Sequence, residues 1–311
     1  MKILLTGASS FTGFWFAKKL AEAGHEVVCT FTQSSEDYTG IRNQRVEALS
    51  GFVRPVFQTA VGDGRFLELT AEGCFDLFCS HGAYMVNYRS PGFDYSTAYR
   101  QDTLQLSTVL KSLKTNGTKA VMFTGTVFEP DEGAGSDGQR AVSAYGAVKR
   151  SVYEMYKVFS DMHGLSLAKF VIPNPFGTYE DPKLPAYLMK TWKIGDVPEI
   201  KTPLYVRDNI HVDLLAKSYV RFCEQAARSG AKLKLNPSQY IETQGQFVER
   251  FASEMRTRLG WKCEVKLARQ TDFPEPRIRV NTDPADEGTD EWDEGLAWDA
   301  IAQYYANSPD I

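Results

Sequence analysis

The sequence predicts an α/β fold: a doubly wound parallel sheet followed by a smaller C-terminal lobe. Three observations carry that reading. The chain opens on a short apolar strand that breaks into small residues before a helix, Lys2-Ile3-Leu4-Leu5-Thr6-Gly7-Ala8-Ser9-Ser10-Phe11-Thr12-Gly13. Further apolar strands and amphipathic helices then take turns through the first 173 residues. Beyond them, stretches 182–202 and 236–281 are marked by prolines and aromatics and depart from that rhythm.

The first element is a strand ending near Thr6, and Phe14 to Ala23 reads as the helix after it. A strand, a tight turn and a helix N-terminus present backbone N–H groups to a phosphate. In this turn Gly7 allows the sharp bend and Gly13 lets helix and strand pack closely. Ser10 takes the place of the middle glycine of a dinucleotide fingerprint, and Ser9, Phe11 and Thr12 complete the expected cofactor loop.

Gly24 to Phe31 supplies a turn and a second strand, which completes a βαβ unit. An NAD site usually ends this strand in a carboxylate that accepts from both ribose hydroxyls. Here the strand ends in Phe31, and no acid appears before Glu36 and Asp37. Without that acid a 2′-phosphate escapes repulsion, and Ser34, Ser35, Arg42 or Arg45 can bind it. Phe31 can equally just stack near the adenine, with both arginines in water. The expected cofactor is therefore NADP, with NAD the other option.

A third strand is expected within Val53 to Leu69, with Gly62-Asp63 past it and Asp63 a candidate adenine contact. Phe75 to Ser80 reads as the fourth strand, leading to His81, which is more simply a satisfied strand-end histidine than a base. Ser96 to Lys114 has helical spacing and is stopped by Asn116-Gly117. Lys119 to Thr124 is the fifth strand, followed by a polar loop, Asp131 to Gly138, long enough to cover a site. A helix then runs from about Ser143 to His163, and a sixth strand from Leu167 to Ile172. Later come a long helix, about Gln244 to Leu259, an acidic connection, Asp283 to Glu294, and a last helix, Trp298 to Tyr305.

Tyr145 and Lys149 stand one helical turn apart on one face. A free phenol has a pKa of ~10, and a nearby ammonium favours the phenolate. Thr124, at the end of the fifth strand, is placed to hydrogen-bond the same substrate oxygen.

With these residues on the page, the chain resembles the extended short-chain dehydrogenase/reductase family, in its sugar-nucleotide epimerase, dehydratase and reductase branch. The resemblance runs through Thr6 to Gly13, Thr124 with Val127-Phe128, Tyr145 with Lys149, Asn174-Pro175-Phe176-Gly177, and Arg207-Asp208-Asn209-Ile210-His211-Val212-Asp213. It implies a Rossmann-type nucleotide domain over 1–173 with a return segment at about 204–235. It also implies a substrate lobe formed by 174–203 and 236–311. Thr124, Tyr145 and Lys149 would be catalytic, with Lys149 also holding the nicotinamide ribose. Asn174 and Arg207 would meet the substrate's diphosphate; apart from the resemblance, Arg277 or Arg279 is a candidate for a second phosphate or the base, or else for a surface salt bridge. Homodimerisation through helices 96–114 and 144–163 is implied as well, with Tyr153, Tyr156 and Phe159 either in that contact or in the core.

The activity so implied is NAD(P)-dependent epimerisation of a nucleotide sugar, most often at C4. An NADPH-dependent nucleotide-sugar 4-ketoreductase is the alternative, because both reactions use the same residues. Dehydration is disfavoured, since Thr124 is followed by Gly125-Thr126 and no carboxylate occurs until Glu129. A non-enzymatic dinucleotide sensor ranks behind, because it has no need of Tyr145 and Lys149.

Bulk properties set the remaining bounds. The 311 residues can bury a full core, and a net charge of -4 gives no reason to expect nucleic acid or a membrane surface as partner. The five cysteines are scattered without Cys-x-x-Cys spacing, which suits free thiols and no metal site. Met1-Lys2 leads straight into the first strand without a signal peptide, so a cytoplasmic protein is expected.

Overall fold

The computed structural model describes residues 1–135, 140–286 and 292–308. The chain begins β1 (Lys2–Thr6), α1 (Phe11–Glu22), β2 (Glu26–Thr30), α2 (Gly40–Ala48), β3 (Arg54–Val56), α3 (Gly64–Glu72) and β4 (Leu77–Ser80). Then come α4 (Tyr95–Asp102), α5 (Leu106–Thr115), β5 (Ala120–Thr126), β6 (Ala134–Gly135), α6 (Ala144–His163), β7 (Ser166–Ile172) and β8 (Asn174–Phe176). Next are α7 (Leu184–Lys193), β9 (Glu199–Ile200), β10 (Val206–His211), α8 (Val212–Ser229) and β11 (Leu233–Leu235). The last are β12 (Pro237–Ser238), β13 (Tyr240–Thr243), α9 (Gln244–Leu259), β14 (Lys266–Leu267), β15 (Ile278–Val280), β16 (Asp283–Pro284) and α10 (Glu294–Asn307).

The chain divides into two compact units: residues 1–132, 140–172 and 216–236 form one, and 133–139, 173–215 and 237–311 the other. In the first, seven strands lie in the order β11-β7-β5-β4-β1-β2-β3, every pair parallel. This is a Rossmann-like sheet. Its central strands are apolar on both faces, β4 being buried at every position, as parallel strands covered by helices must be. Strand order reverses between β1 and β4, so the loops after β1, β4 and β5 emerge at one edge, where α/β folds bind ligands. Leu4, Val28, Phe66, Phe78, Val121 and Phe123 belong to one continuous core with the apolar stripes of α5 and α6.

Three expectations need correction in this unit. The apolar run 53–69 holds only a three-residue strand, because Asp63 caps a helix whose stripe uses the remaining apolar residues. The helix expected over 96–114 is two helices, broken where Gln105 takes a left-handed φ of 48°. A seventh strand, β11, follows α8 and pairs with β7.

In the second unit, β10 is central, with β13 antiparallel on one side and β15 and β8 parallel to it. That pairing draws residues 204–215 here, so the return segment to the nucleotide unit starts at 216 rather than about 204. Helix α9 follows its expected bounds, held by a Thr243–Gln246 capping box and ended by Gly260 at φ 67°. Phe176, Trp192, Phe251, Trp298 and Tyr305 build a separate aromatic core. Helix α10 begins four residues before the expected Trp298, at Glu294, behind an Asp293 cap. The expected loop 131–138 and the acidic connection 283–294 lie partly outside the described residues; the described start of the former contains β6, paired with β15.

Candidate active site

The turn after β1 is built on two glycines and a cap. Gly7 has φ 79°, and a Cβ there would lie 2.7 Å from Gly82 Cα. A Cβ on Gly13 would lie 2.2 Å from the Gly7 carbonyl oxygen, so helix and turn touch only through glycine. Ser10 is the N-cap of α1: its hydroxyl accepts from the Gly13 N–H at 3.2 Å and donates to the Gly7 carbonyl at 2.8 Å. The serine that breaks the glycine fingerprint thus holds the turn in shape. The first turn of α1 carries no acid, which leaves its positive end open to an anion.

The strand-end histidine serves the same turn. His81 Nε2 lies 3.1 Å from the Ser10 hydroxyl and 3.2 Å from that of Thr12. Burial, reinforced by the Lys149 charge, pushes its pKa down to about 3. The imidazole is therefore neutral at physiological pH and acts as a bracket, with Thr6 Oγ1 accepting the N–H groups of His81 and Gly82 beside it.

At the expected ribose end, Phe31 is buried, stacked on Phe57 at 5.1 Å and edge-on to Tyr38. Arg45 is fully buried and donates to the Ser9 carbonyl at 3.3 Å, with its guanidinium over the Phe11 ring. It braces the glycine turn from within. Ser34 donates to Asp37 and Ser35 to Glu36, so acids engage both hydroxyls proposed for a 2′-phosphate. Arg42 alone of those candidates is exposed and cationic. Asp63 uses both carboxylate oxygens on its own loop, accepting the Phe66 and Ala60 N–H groups at 2.7 and 2.6 Å.

Helix α6 begins with Ser143, whose hydroxyl accepts from Gly146 N–H. A Cβ on Gly146 would lie 2.0 Å from the Phe128 carbonyl, so this glycine lets the helix press against the loop after β5. Lys149 is buried, its Nζ 4.3 Å from the centre of the Phe123 ring. The half-buried Tyr145 ring meets Tyr88 at 5.4 Å and Phe93 at 6.1 Å, both edge-on. Burial, then the negative charges of Asp102 and Glu129, push the Tyr145 phenol well above its ordinary range. Burial pulls Lys149 down, against the opposing pull of the same two carboxylates.

Thr124 stands differently. The β5–β7 register sets Phe123 opposite Lys169 and Thr124 opposite Phe170. Side chains alternate along a strand, so Phe123 faces α6 and Thr124 the other face, with Phe170 and Tyr219. The Thr124 and Tyr219 hydroxyls are both buried on that face and interact with one another, with Cys79 and Cys223 also beside Tyr219. Tyr145 and Lys149 are brought together; no hydrogen bond joins Thr124 to either. Glu129 is buried and committed to Lys169 Nζ at 2.6 Å and the Thr126 N–H at 2.9 Å.

In the second unit, Asn174 donates to the Asp208 carbonyl at 3.4 Å across the β8–β10 pair. Arg207 lies over the Tyr205 ring, pairs with Glu275 at 3.0 Å, and donates to the carbonyls of Val206, Pro276 and Arg277. Arg277 is exposed, with its guanidinium 4.4 Å from the Phe273 ring centre. No group of three or more metal-binding side chains occurs among the described residues, and no helix there is long and apolar enough to cross a membrane.

A family model described as the NAD dependent epimerase/dehydratase family matches residues 3–236. The chain belongs to the NAD dependent epimerase/dehydratase family. Its fold is shared by a UDP-glucose 4-epimerase of Thermotoga maritima, solved with UDP-glucose. That structure shares the fold at TM-score 0.75 and 18% identity, over 98% of this chain and 99% of that one. A vestitone reductase of Medicago sativa is 22% identical over 252 residues, 74% of each chain. An uncharacterized 37.6 kDa protein of the cld 5′ region of Escherichia coli O111:H- is 27% identical over 194 residues. That match takes in 57% of this chain and 56% of that protein, so the chain spans just over half the length of this relative. The glycine turn, its capped helix and the acid-free first turn fit the family's NAD-type cofactor.

Two groups near this chemistry carry no signal in the sequence. Asp102 closes α4, 43 positions before Tyr145, and Tyr219 is one aromatic on an amphipathic helix. Only the fold shows what they approach.

Proposed function

We propose that the chain is an NAD(P)-dependent nucleotide-sugar epimerase working on a carbinol carbon, C4 for a hexose. The observation that carries this is a buried Lys149 one turn from Tyr145, beside the ligand-binding edge of the sheet. The Gly7–Gly13 turn would hold the dinucleotide, whose bound nicotinamide would supply reversible hydride exchange, with return to the opposite face of the carbon giving the epimer. Tyr145 takes the hydroxyl proton and later gives it back, while the Lys149 charge offsets the phenolate. Thr124, at the end of β5, would orient the sugar oxygen by turning its hydroxyl from Tyr219 toward the substrate. In the Gly7–Gly13 turn the N–H groups of Ser9, Phe11 and Thr12 would receive the cofactor's diphosphate, while those of Ser10 and Gly13 hold the turn itself.

Arg277 and Asn174 would bind the substrate's diphosphate. Arg207 can share that task only by giving up Glu275, so its first duty is to hold β10 and the Arg277 segment in place. For the cofactor, the geometry around β2 narrows the support for NADP to Arg42, and the carboxylate usual for NAD is absent from the end of β2. Exposed Tyr95 and Tyr99 on α4 and exposed Val158 and Met162 on α6 form apolar pairs one turn apart, which supports a homodimer through these helices. Tyr156 instead fills the core, its hydroxyl 2.8 Å from Ser80. Five free cysteines, four of them buried, suit a reducing cytoplasm.

A second reading, an NADPH-dependent 4-ketoreductase, is favoured by the raised Tyr145 pKa, since a phenol is the form that gives a proton to a ketone. Vestitone reductase among the relatives points the same way. The test incubates purified protein with UDP-, dTDP-, GDP- and CDP-linked hexoses and their 4-keto forms, with and without NADPH. Turnover of a hexose without added NADPH supports the epimerase. Stoichiometric NADPH loss with a 4-keto sugar supports the reductase and overturns the epimerase.

A further inference from the structure

Asp102 is a carboxylate that the proposed chemistry does not use. It ends α4, and its Oδ1 accepts the Tyr84 N–H at 3.1 Å, tying the loop after β4 to the helix. The Tyr84 ring meets Phe93 at 6.0 Å, and Phe93 together with Tyr88 packs on the Tyr145 ring. One hydrogen bond thus anchors the loop that walls Tyr145. The same carboxylate acts electrostatically on three groups of α6: Tyr145, Lys149 and Tyr156.

We propose that Asp102 is a positioning residue for the Tyr145–Lys149 pair, fixing through the Tyr84 N–H the loop that packs on the Tyr145 ring. This rests on Tyr145 being the acid–base group of the proposed reaction. An anion beside a phenol disfavours the phenolate, and beside an ammonium it favours the ammonium. Both pKa values therefore rise when Asp102 is charged and fall when it is neutral. The other groups facing the pair are His81, Tyr88, Glu129 and Lys169. His81 is neutral, while Glu129 and Lys169 are ion-paired to each other. Burial raises Asp102 itself to about 6, with the Lys149 charge and the Tyr84 N–H opposing it. Its charge therefore changes near pH 6.

The sign for stability follows. A carboxyl whose folded pKa is raised favours folding below the ordinary carboxylate range, and that advantage is lost as pH rises through about 6. Asp102→Asn keeps the acceptor for the Tyr84 N–H and removes the charge. Its melting temperature relative to wild type should climb between pH 4 and pH 7. In kcat/KM against pH, with whichever sugar of the panel turns over, its alkaline limb should move down by about 1 pH unit. A purely structural Asp102 still shifts the melting series through its own titration but leaves the alkaline limb unmoved. A melting difference that is flat with pH, or an alkaline limb unmoved in Asp102→Asn, overturns the proposal. Tyr145→Phe separates the two claims: full turnover in that variant defeats the catalytic reading, while the ultraviolet titration of the Tyr145 phenol in wild type against Asp102→Asn still judges Asp102.

Discussion

Two buried lysines in the nucleotide unit lie over aromatic rings and have opposite fates. Lys169, on β7, sits 4.1 Å from the Tyr153 ring centre and bonds Glu129 at 2.6 Å and Glu132 at 2.8 Å. Lys234 closes the cluster on Glu132 at 2.6 Å. Lys149, on α6, sits 4.3 Å from the Phe123 ring centre, and among the described residues no carboxylate bonds it. A buried charge with matched partners secures local geometry; a buried charge without them lowers stability and stays available for chemistry. The contrast divides the site into a scaffold under β5 and a reactive pair beside it.

The sharpest way to break the comparison is to remove each lysine and its chemistry in turn. Tyr145→Phe and Lys149→Met should each lower turnover about 10²- to 10⁴-fold, with melting temperature unchanged or, for Lys149→Met, raised. Lys169→Met should do the reverse. It takes the Lys169 ion pair from the buried Glu129 carboxylate and leaves Glu132 to Lys234, and should cost about 3–5 kcal/mol in urea unfolding, while the folded fraction still turns over. Equal losses of stability in Lys149→Met and Lys169→Met would erase the distinction.

His81 refines the picture as a buried base that feels the Lys149 charge. Its folded pKa of about 3 lies below the unfolded value, so it stabilises the protein above the ordinary histidine range. That contribution is lost as pH falls. Acidification from pH 8 to pH 5 should cost about 2 kcal/mol through this group, an increment missing from His81→Asn in paired urea titrations. The smallest effect belongs to Ser10→Ala, which removes the α1 cap and should cost about 1 kcal/mol, read as a lower urea midpoint with unchanged slope.

Much of this was legible in the sequence because local physics dictated it. Gly7 and Gly13 answer to a left-handed turn and a close approach, and the Tyr145 to Lys149 spacing is one helical turn. The Gln244–Leu259 helix announces itself by its Thr243–Gln246 box and Gly260 stop. What escaped depends on partners distant in the chain. Arg45 reads as a surface cation until the fold turns it onto the Ser9 carbonyl. Asp63 reads as a ligand contact until it caps α3. The pairing of β10 with β8, β13 and β15, which moves residues 204–215 into the second unit, has no local signature. Thr124 was found as a residue, but its face of the sheet follows from the β5–β7 register alone.

The most direct measurement follows a deuterium label. UDP-glucose carrying deuterium at C4 is incubated with the protein and NAD, and products are resolved by NMR in protiated water. Reversible hydride transfer predicts the C4 epimer with deuterium retained at C4, and no epimer from Tyr145→Phe. Loss of the label to solvent, or an epimer formed equally well without the Tyr145 hydroxyl, would contradict it.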